Sequence, residues 1–182
     1  METLDKELVA RVVSTHDTAA FGELIRRHQS HVRNFLRKLA GDFTLADDLA
    51  QDCFLHAWDK IATFSGHGSF IGWLLKVAYT TFLQSRRRSK RYAEILDEVG
   101  QVADLQSTSY TQPNEEVTDL DKLLAVLDTE ERAVMVMNYA FGLSHREISE
   151  ATEMPVGTVK SVIHRSKEKI RSDFELKRYT HG

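Results

Sequence analysis

Apolar residues recur at helical spacing along most of this chain, and little in the sequence interrupts them. Only two prolines occur among the 182 residues, and no segment alternates apolar and polar residues as a half-buried strand does. Because 42% of the residues are hydrophobic, the chain has enough apolar side chains to fill packed cores. These features predict an all-α fold built from two small helical domains.

Three long helices are predicted in the first half of the chain. The first spans 17–40, and a Gly-Asp break separates it from a second helix over 45–62. Thr44 and Asp47 have the spacing of a capping box at the start of that second helix. After a loop that contains glycine, a third helix is predicted over 71–88.

The middle of the chain has a different composition. Residues 93–117 lose strong periodicity and are rich in Ser, Thr, Gln, Asn and acidic residues, which is typical of a polar linker. Helical patterns resume after it. We therefore divide the chain into an N-terminal domain (1–92), a flexible acidic linker (93–117) and a C-terminal domain (118–182).

Residues 144–171 have the pattern of a helix-turn-helix. Ser144 and Glu147 form a capping box at the start of a short helix, and a proline-containing break separates that helix from a second one. The second helix has one apolar side and one small, polar, basic side, which suits approach to a DNA groove. An ordinary surface helix with a solvated charged side has the same pattern. The candidate DNA-contacting residues are Gly157, Lys160, Ser161, His164 and Arg165.

The second predicted helix carries a row of acidic and amide residues opposite its apolar side. Acidic residues near a helix N-terminus stabilise the helix by about 0.3–1 kcal/mol each, so the row has a purely structural explanation. It also suits docking of a basic partner. Spacing alone does not separate these two explanations. The row consists of Asp47, Asp48, Gln51, Asp52 and Asp59.

The third predicted helix and the loop before it carry aromatic, cationic and hydrogen-bonding side chains. The 64–70 loop contains two glycines, and the outer stripe of the helix leads into the basic block at 86–91. Such a stripe suits unstacked bases and a phosphate backbone. Alternatively, its tryptophan anchors the core and its arginines form a solvated helix end. The stripe consists of Trp73, Lys76, Thr80, Gln84 and Arg87.

The composition and motifs argue against an enzyme and against a membrane or secreted protein. No nucleophile–base pair, metal-ligand spacing or phosphate-binding loop is recognisable, so we expect neither a cofactor nor a metal site. Cys53 is the only cysteine, which excludes an internal disulfide and fits a reducing cytoplasm. We expect neither a signal peptide nor membrane insertion. The net charge of −3 hides two basic patches within an acidic total.

Taken together, the order and spacing of these motifs resemble the extracytoplasmic-function (group 4) sigma factors of bacterial RNA polymerase, over nearly the entire chain. LADDLAQDCFLHAW at 45–58 looks like the family's helix that binds the polymerase clamp. FSGHGSFIGWLLKVA at 64–78, followed by a run of arginines, looks like its promoter-melting segment. LSHREISEA at 143–151 and PVGTVKS at 155–161 are similar to the region that reads the upstream promoter element.

The resemblance implies a promoter-specificity subunit that binds polymerase core and directs initiation at −35 and −10 elements, in a stress or envelope and extracellular signal response. The N-terminal domain would be sigma domain 2 and the C-terminal domain sigma domain 4. Apolar residues of the C-terminal domain would bind the β flap, and an anti-sigma factor is an expected partner.

The resemblance also implies roles for individual residues. The β′ clamp would be bound by Asp47, Asp48, Gln51 and Asp52. The single strand of the −10 element would be bound by Phe64, His67, Ser69, Trp73, Lys76, Thr80, Gln84, Arg87 and Arg88. The −35 element would be read by Val156, Gly157, Thr158, Lys160, Ser161, His164, Arg165 and Lys167.

The sequence departs from the family pattern at a few positions. Tyr79 and Thr80 stand where the family usually has arginine and asparagine, Gln84 replaces an acidic residue, and Val162 takes the place of a common arginine. The alternative interpretation is a stand-alone helix-turn-helix repressor or response-regulator output protein. Such a protein would explain 144–171 but not the acidic row or the aromatic stripe.

Overall fold

The computed structural model describes residues 2–98 and 118–180, and within these ranges it contains helices and no strand. The all-α prediction is therefore confirmed. From residue 99 onwards the predicted linker lies outside the described residues. The helices are α1 (Glu2–Thr15), α2 (Thr18–Ala40), α3 (Phe43–Lys60, followed by a 3-10 turn at Ile61–Thr63), α4 (Phe70–Glu98), α5 (Asp119–Leu124), α6 (Thr129–Tyr139), α7 (His145–Thr152) and α8 (Val156–Thr180).

Aspartate side chains start both α2 and α3. Asp17 accepts a hydrogen bond from the Ala20 amide, and α2 ends at a left-handed Gly41, so the bounds predicted for this helix are confirmed. The capping pair predicted for α3 is wrong. Asp42 is the N-cap, since its backbone is extended and its carboxylate accepts from the Leu45 amide, and α3 therefore begins at Phe43.

α1 was not predicted from the sequence. Its residues Leu8, Val9 and Val12 are buried against the rest of the N-terminal half. Asp5 of α1 is also buried, and its carboxylate lies 2.9 Å from Arg27 Nε and 3.0 Å from His28 Nε2 of α2. α1 thus covers one side of α2 and supplies the polar partner of a buried histidine.

α4 is longer than predicted. It begins at Phe70 and continues ten residues past the predicted end at 88, to Glu98. The sequence contains no glycine or proline between Gly72 and Gly100 that would end the helix earlier. The first six residues assigned to the linker, 93–98, are therefore helical.

Two groups of helices share one continuous core. The N-terminal unit, α1–α4, is centred on residues such as Phe35, Leu36 and Leu75. The C-terminal unit, α5–α8, is centred on residues such as Met137 and Ile148. The units also pack directly on each other, α6 against α2 and α7 against α4.

Within the described residues, none of the helices combines the length and the apolarity that crossing a bilayer requires.

Candidate nucleic-acid interface

α7 and α8 form the predicted helix-turn-helix. Ser144 and Glu147 cap each other's free amides at the start of α7, as the capping box predicted. α7 ends at Thr152, and the left-handed backbone of the next residue, Glu153 (φ 61°), turns the chain towards α8. Val159 and Ile163 of α8 are buried, and they pack beside the buried Ile148 of α7. The apolar side of α8 is thereby fixed against the domain and its other side faces outwards.

The outward side of α8 contains all eight residues predicted to read DNA, and each of them is exposed. We call this set (Val156, Gly157, Thr158, Lys160, Ser161, His164, Arg165 and Lys167) the recognition face. A Cβ added at Gly157 would meet no atom within 4 Å. Packing within the chain therefore does not require glycine there, whereas close approach of the helix backbone to a partner would favour it.

Two positions of α8 differ from their neighbours. Lys167 lies over the Tyr139 ring of α6, with Nζ 5.2 Å from the ring centroid, so this lysine is partly held by a cation–π contact. Val162, the position at which the resembled family commonly has arginine, is 2% exposed. It packs inside the domain and presents no group to a partner.

The 64–70 loop is organised by an aromatic cluster. The ring centroid of Phe64 lies 5.5 Å from that of Phe70 and 6.0 Å from that of Trp73, and the Phe70 and Trp73 centroids are 5.4 Å apart. The Trp73 indole N–H donates to Thr63 Oγ1 at 3.2 Å. Trp73 is half-buried and held in one orientation. It thus partly anchors the core and partly faces outwards, which combines the two alternatives considered for it. Its position fits a rigid stacking platform.

The remaining residues of the stripe follow α4 away from the loop. Gln84, Arg87 and Arg88 are exposed. Lys76 and Thr80 are half-buried, and the Thr80 hydroxyl donates to the Lys76 carbonyl at 2.9 Å. His67 is exposed at the tip of the loop. The structure thus brings the loop and the stripe onto one continuous surface that ends in the basic block.

A contact between the two units was not foreseen. Glu147 Oε1 of α7 accepts hydrogen bonds from the Ser69 hydroxyl at 2.7 Å and from the Ser69 amide at 3.2 Å. Burial raises the pKa of Glu147, but hydrogen bonds from Ser69 and Ser144 outweigh it and leave that pKa below its usual value. The carboxylate is therefore ionised at neutral pH. Because 78 residues separate the two partners, no local pattern signals this contact.

The acidic row on α3 contains residues with different surroundings. Asp48 and Gln51 are exposed, and Asp52 is half-buried. Asp47 Oδ1 lies 3.7 Å from both Arg33 Nε and Arg37 Nη2 of α2, so its charge is partly compensated. Of the three acids predicted to bind the clamp, Asp48 is thus the one that is exposed.

Sequence reasoning missed one apolar member of this surface. Leu55 has 67% of its surface exposed and follows Gln51 by four positions, so the two are neighbours on the helix. Its spacing could have revealed it, because Leu55 follows Gln51 by four positions and Asp48 by seven and therefore lies on the same side of the helix. An exposed leucine between acidic side chains suits a protein partner better than a nucleic acid.

A second missed surface is an apolar groove in the C-terminal unit. It lies between α5, α6 and α8, and Leu120 and Tyr139 at its edge are 47% and 56% exposed. Exposed apolar grooves of this kind suit the apolar side of a partner helix. Its lining consists of Leu120, Leu123, Leu124, Met135, Val136, Tyr139, Ala140 and Ile170.

Comparison with known proteins matches both units. The family model for Sigma-70 region 2 matches residues 24–92, and that for Sigma-70 region 4 matches residues 118–170. The ECF RNA polymerase sigma factor SigW of Bacillus subtilis is 31% identical over 186 residues, which cover 94% of this chain and 97% of SigW. The RNA polymerase sigma factor YlaC of the same organism is 27% identical, over 86% of this chain and 92% of YlaC.

Among solved structures, the fold is similar to that of CnrH in its complex with the cytosolic domain of CnrY. The TM-score is 0.68 at 24% identity, and the match covers 95% of this chain and 98% of CnrH.

Proposed function

The chain belongs to the ECF RNA polymerase sigma factors, subunits that direct transcription initiation, and we propose how its surfaces divide that work. The recognition face of α8 reads the −35 element. The 64–70 loop and the α4 stripe capture the −10 strand, and the acidic row of α3 binds the polymerase clamp. Domain bounds of 1–92 and 118–182 are part of this proposal, and the family matches at 24–92 and 118–170 support them.

The −35 assignment rests on the exposure and chemistry of the recognition face. Its small residues leave room for a groove, and Lys160 and Arg165 are exposed cations that form no salt bridge with any residue that the structure describes. Cations at such positions contact phosphates or the acceptor atoms of guanine. The fixed apolar side of α8 holds these residues in one orientation.

The −10 assignment rests on the aromatic cluster. A melted strand exposes base faces, and stacking on an aromatic side chain contributes about 1–3 kcal/mol per base. Trp73 is held by its hydrogen bond to Thr63 and by its neighbouring rings. Lys76 and the exposed Arg87 and Arg88 follow on the same helix, where they can track the phosphates of the strand.

The single observation that separates a sigma subunit from a stand-alone helix-turn-helix repressor is the acidic surface of α3. Asp48, Gln51 and Leu55 are exposed together and form no part of a DNA-binding surface, because DNA repels acidic residues. A repressor has no use for such a surface. The apolar groove between α5, α6 and α8 supplies a second protein-docking site, which we assign to the β flap.

The regulatory partner and the cellular place are also proposals. The sigma factor RpoE of Bartonella quintana, which has a similar fold at 23% identity, was solved in complex with the anti-sigma factor NepR, and this supports an anti-sigma factor as a partner here. A response to stress or to an envelope or extracellular signal fits such control. Because the chain would act together with polymerase at promoters, we assign it to the cytoplasm.

In vitro transcription tests this function directly. Purified polymerase core is incubated with fragmented genomic DNA, with and without the chain, and the transcript ends are mapped. We expect specific initiation only when the chain is present. Sequence-specific binding of the chain alone, without any initiation by the mixture, would instead establish the repressor function.

A further inference from the structure

The contact between Glu147 and Ser69 joins the two DNA-binding units at the 64–70 loop. Glu147 Oε1 accepts both the hydroxyl and the amide of Ser69, while Oε2 accepts from the Ser144 amide at 3.0 Å and hydroxyl at 2.8 Å. One carboxylate therefore caps α7 and holds the loop at the start of α4. A phosphate of the −10 strand would need the same hydroxyl and amide donors, since both groups are anions.

α7 approaches α4 closely at this point. A Cβ added at Gly72 would lie 3.0 Å from Ser69 Oγ, 3.4 Å from Glu147 Oε1 and 3.6 Å from Leu143 Cδ2. The 3.0 Å distance to Ser69 Oγ is tight, whereas the distances to Glu147 and Leu143 are ordinary van der Waals contacts, so Leu143 and α7 pack directly against the backbone of α4 at Gly72. Lys76, one of the candidate phosphate contacts, lies 4.0 Å from the Glu153 carboxylate at the end of α7.

The interface between the units continues away from the loop. Lys38 Nζ of α2 lies 2.5 Å from Asp121 Oδ1 of α5, and Arg86 of α4 donates to Thr129 Oγ1 of α6 at 2.6 Å. The Phe141 ring packs edge-on against Phe35, with centroids 6.2 Å apart. A salt bridge, a hydrogen bond and an aromatic contact, each at a different place, hold the units in this closed arrangement.

The closed arrangement cannot occupy both promoter elements. About 25 base pairs separate −35 from −10, which is about 85 Å of duplex at roughly 3.4 Å per base pair. A compact chain of this length has a radius of gyration of about 16 Å, hence a diameter of about 40 Å. The units must separate before the recognition face and the loop reach their elements on one promoter.

We propose that this interface is an autoinhibitory contact in which Glu147 occupies the phosphate-binding donors of Ser69 until binding of polymerase core separates the units. The proposal rests on the proposed assignment of the loop to the −10 strand. It adds that the free chain is held inactive by its own C-terminal unit, with no second protein required.

The first test compares Glu147→Gln with the matched variant Glu150→Gln. Both remove one negative charge from the same helix beside the loop, but Glu150 pairs with Arg146 and not with Ser69. The probe is a fluorescent single-stranded oligonucleotide carrying the non-template −10 sequence of a mapped promoter. Fluorescence anisotropy measures its affinity for the full-length free chain.

We expect the free Glu147→Gln chain to bind this strand about 10-fold more tightly than the wild type, because a larger fraction of molecules is open. Glu150→Gln should stay within about twofold of the wild type. In the holoenzyme all three chains should bind the strand equally. Equal affinity of the free Glu147→Gln and Glu150→Gln chains, or no strand binding by either of them, overturns the proposal.

A second variant opens the interface far from the loop. Lys38→Glu places two carboxylates side by side at Asp121, and it should also tighten strand binding by the free chain. A carbodiimide crosslink between Lys38 and Asp121, quantified by mass spectrometry, reports the closed arrangement in the wild type and in Glu147→Gln. We expect severalfold less crosslink in Glu147→Gln and almost none once core is added; an undiminished crosslink with core overturns the proposal.

Failure of the proposed loop assignment has a different signature. If holoenzyme carrying Trp73→Ala opens promoters as fully as the wild type, the loop does not capture the strand. That result leaves the crosslink measurements unchanged, so the two failures are distinguishable.

Discussion

Arg132 joins three segments of the chain and is only 9% exposed. Its Nε donates to the carbonyl of Leu124, the last residue of α5, at 3.2 Å, and its Nη2 donates to the carbonyl of Leu127, in the turn before α6, at 3.0 Å. A longer bond of 3.5 Å runs from Nη1 to the Lys38 carbonyl of α2. The guanidinium therefore supports the base of the C-terminal unit and touches the interface with the N-terminal unit.

We predict that Arg132→Met lowers the free energy of unfolding by about 2–4 kcal/mol. Methionine keeps an apolar stem in place but removes the charged donors. A hydrogen bond to a charged group contributes about 1.5–3 kcal/mol. The estimate counts the two shorter bonds and stays below their sum, because the Leu124 carbonyl keeps its bond from the Leu127 amide.

Urea unfolding followed by circular dichroism measures this loss. At typical slopes of about 1–3 kcal/mol per molar urea, the midpoint should fall by about 1 M or more. Both tryptophans, Trp58 and Trp73, belong to the N-terminal unit, so their fluorescence follows that unit separately. Coincident transitions in the wild type would show that the packed units unfold together.

The matched control is Arg146→Met on α7. The Arg146 side chain is 86% exposed and pairs with Glu150 on the surface, so we expect a change within about 0.5 kcal/mol. A loss below about 1 kcal/mol for Arg132→Met, no larger than that for Arg146→Met, would refute the reasoning. Water would then replace the hydrogen bonds of Arg132 with little loss in the free energy of unfolding.

Three further predictions concern the clamp, the promoter and pH. Asp48→Arg should weaken core binding at least ~30-fold with unchanged thermal unfolding; wild-type affinity in a pull-down titration would remove the clamp assignment. Lys160→Ala or Arg165→Ala should each weaken −35 duplex binding by about 1–3 kcal/mol, and unchanged affinity of both would contradict the recognition face. Burial, opposed by Asp5, lowers the pKa of His28 below 6.5. As the pH falls, the unfolded chain therefore binds a proton at this histidine before the folded chain does, and the free energy of unfolding should fall below about pH 6.5. The change of the urea midpoint with pH should be smaller in His28→Gln.

The elements that were predictable from the sequence are those with local signals. The helix-turn-helix carries its own capping box, its proline break and a two-sided second helix, and each signal lies within a few residues of the structure that it specifies. α2 is similar, since Asp17 and Gly41 mark both its ends. The recognition face follows from the same periodicity, because burial of Val159 and Ile163 decides which side of α8 is exposed.

Features that depend on distant partners were not predictable. The N-terminal α1 has only a short apolar pattern, and its best-defined interaction, Asp5 with His28, joins residues 23 positions apart. The Ser69–Glu147 contact gives no signal in the sequence, because each residue already has a local role: Ser69 precedes the start of α4, and Glu147 belongs to the capping box of α7. The extension of α4 was missed for another reason, since a polar, charged sequence was interpreted as a linker although no helix breaker occurs before Gly100.

The two surfaces that we propose bind DNA are unequally available in the closed arrangement, and on this proposal the inequality implies an order of events. The recognition face of α8 is exposed in full, whereas Ser69 of the 64–70 loop is bonded to Glu147. Duplex DNA at −35 can thus be contacted by the closed chain, but capture of the −10 strand requires separation of the units. Because a closed chain about 40 Å across cannot span about 85 Å of duplex, the protein that holds the units apart must act before melting. Polymerase core, which binds α3 of one unit and the apolar groove of the other in the proposed function, is placed to do so.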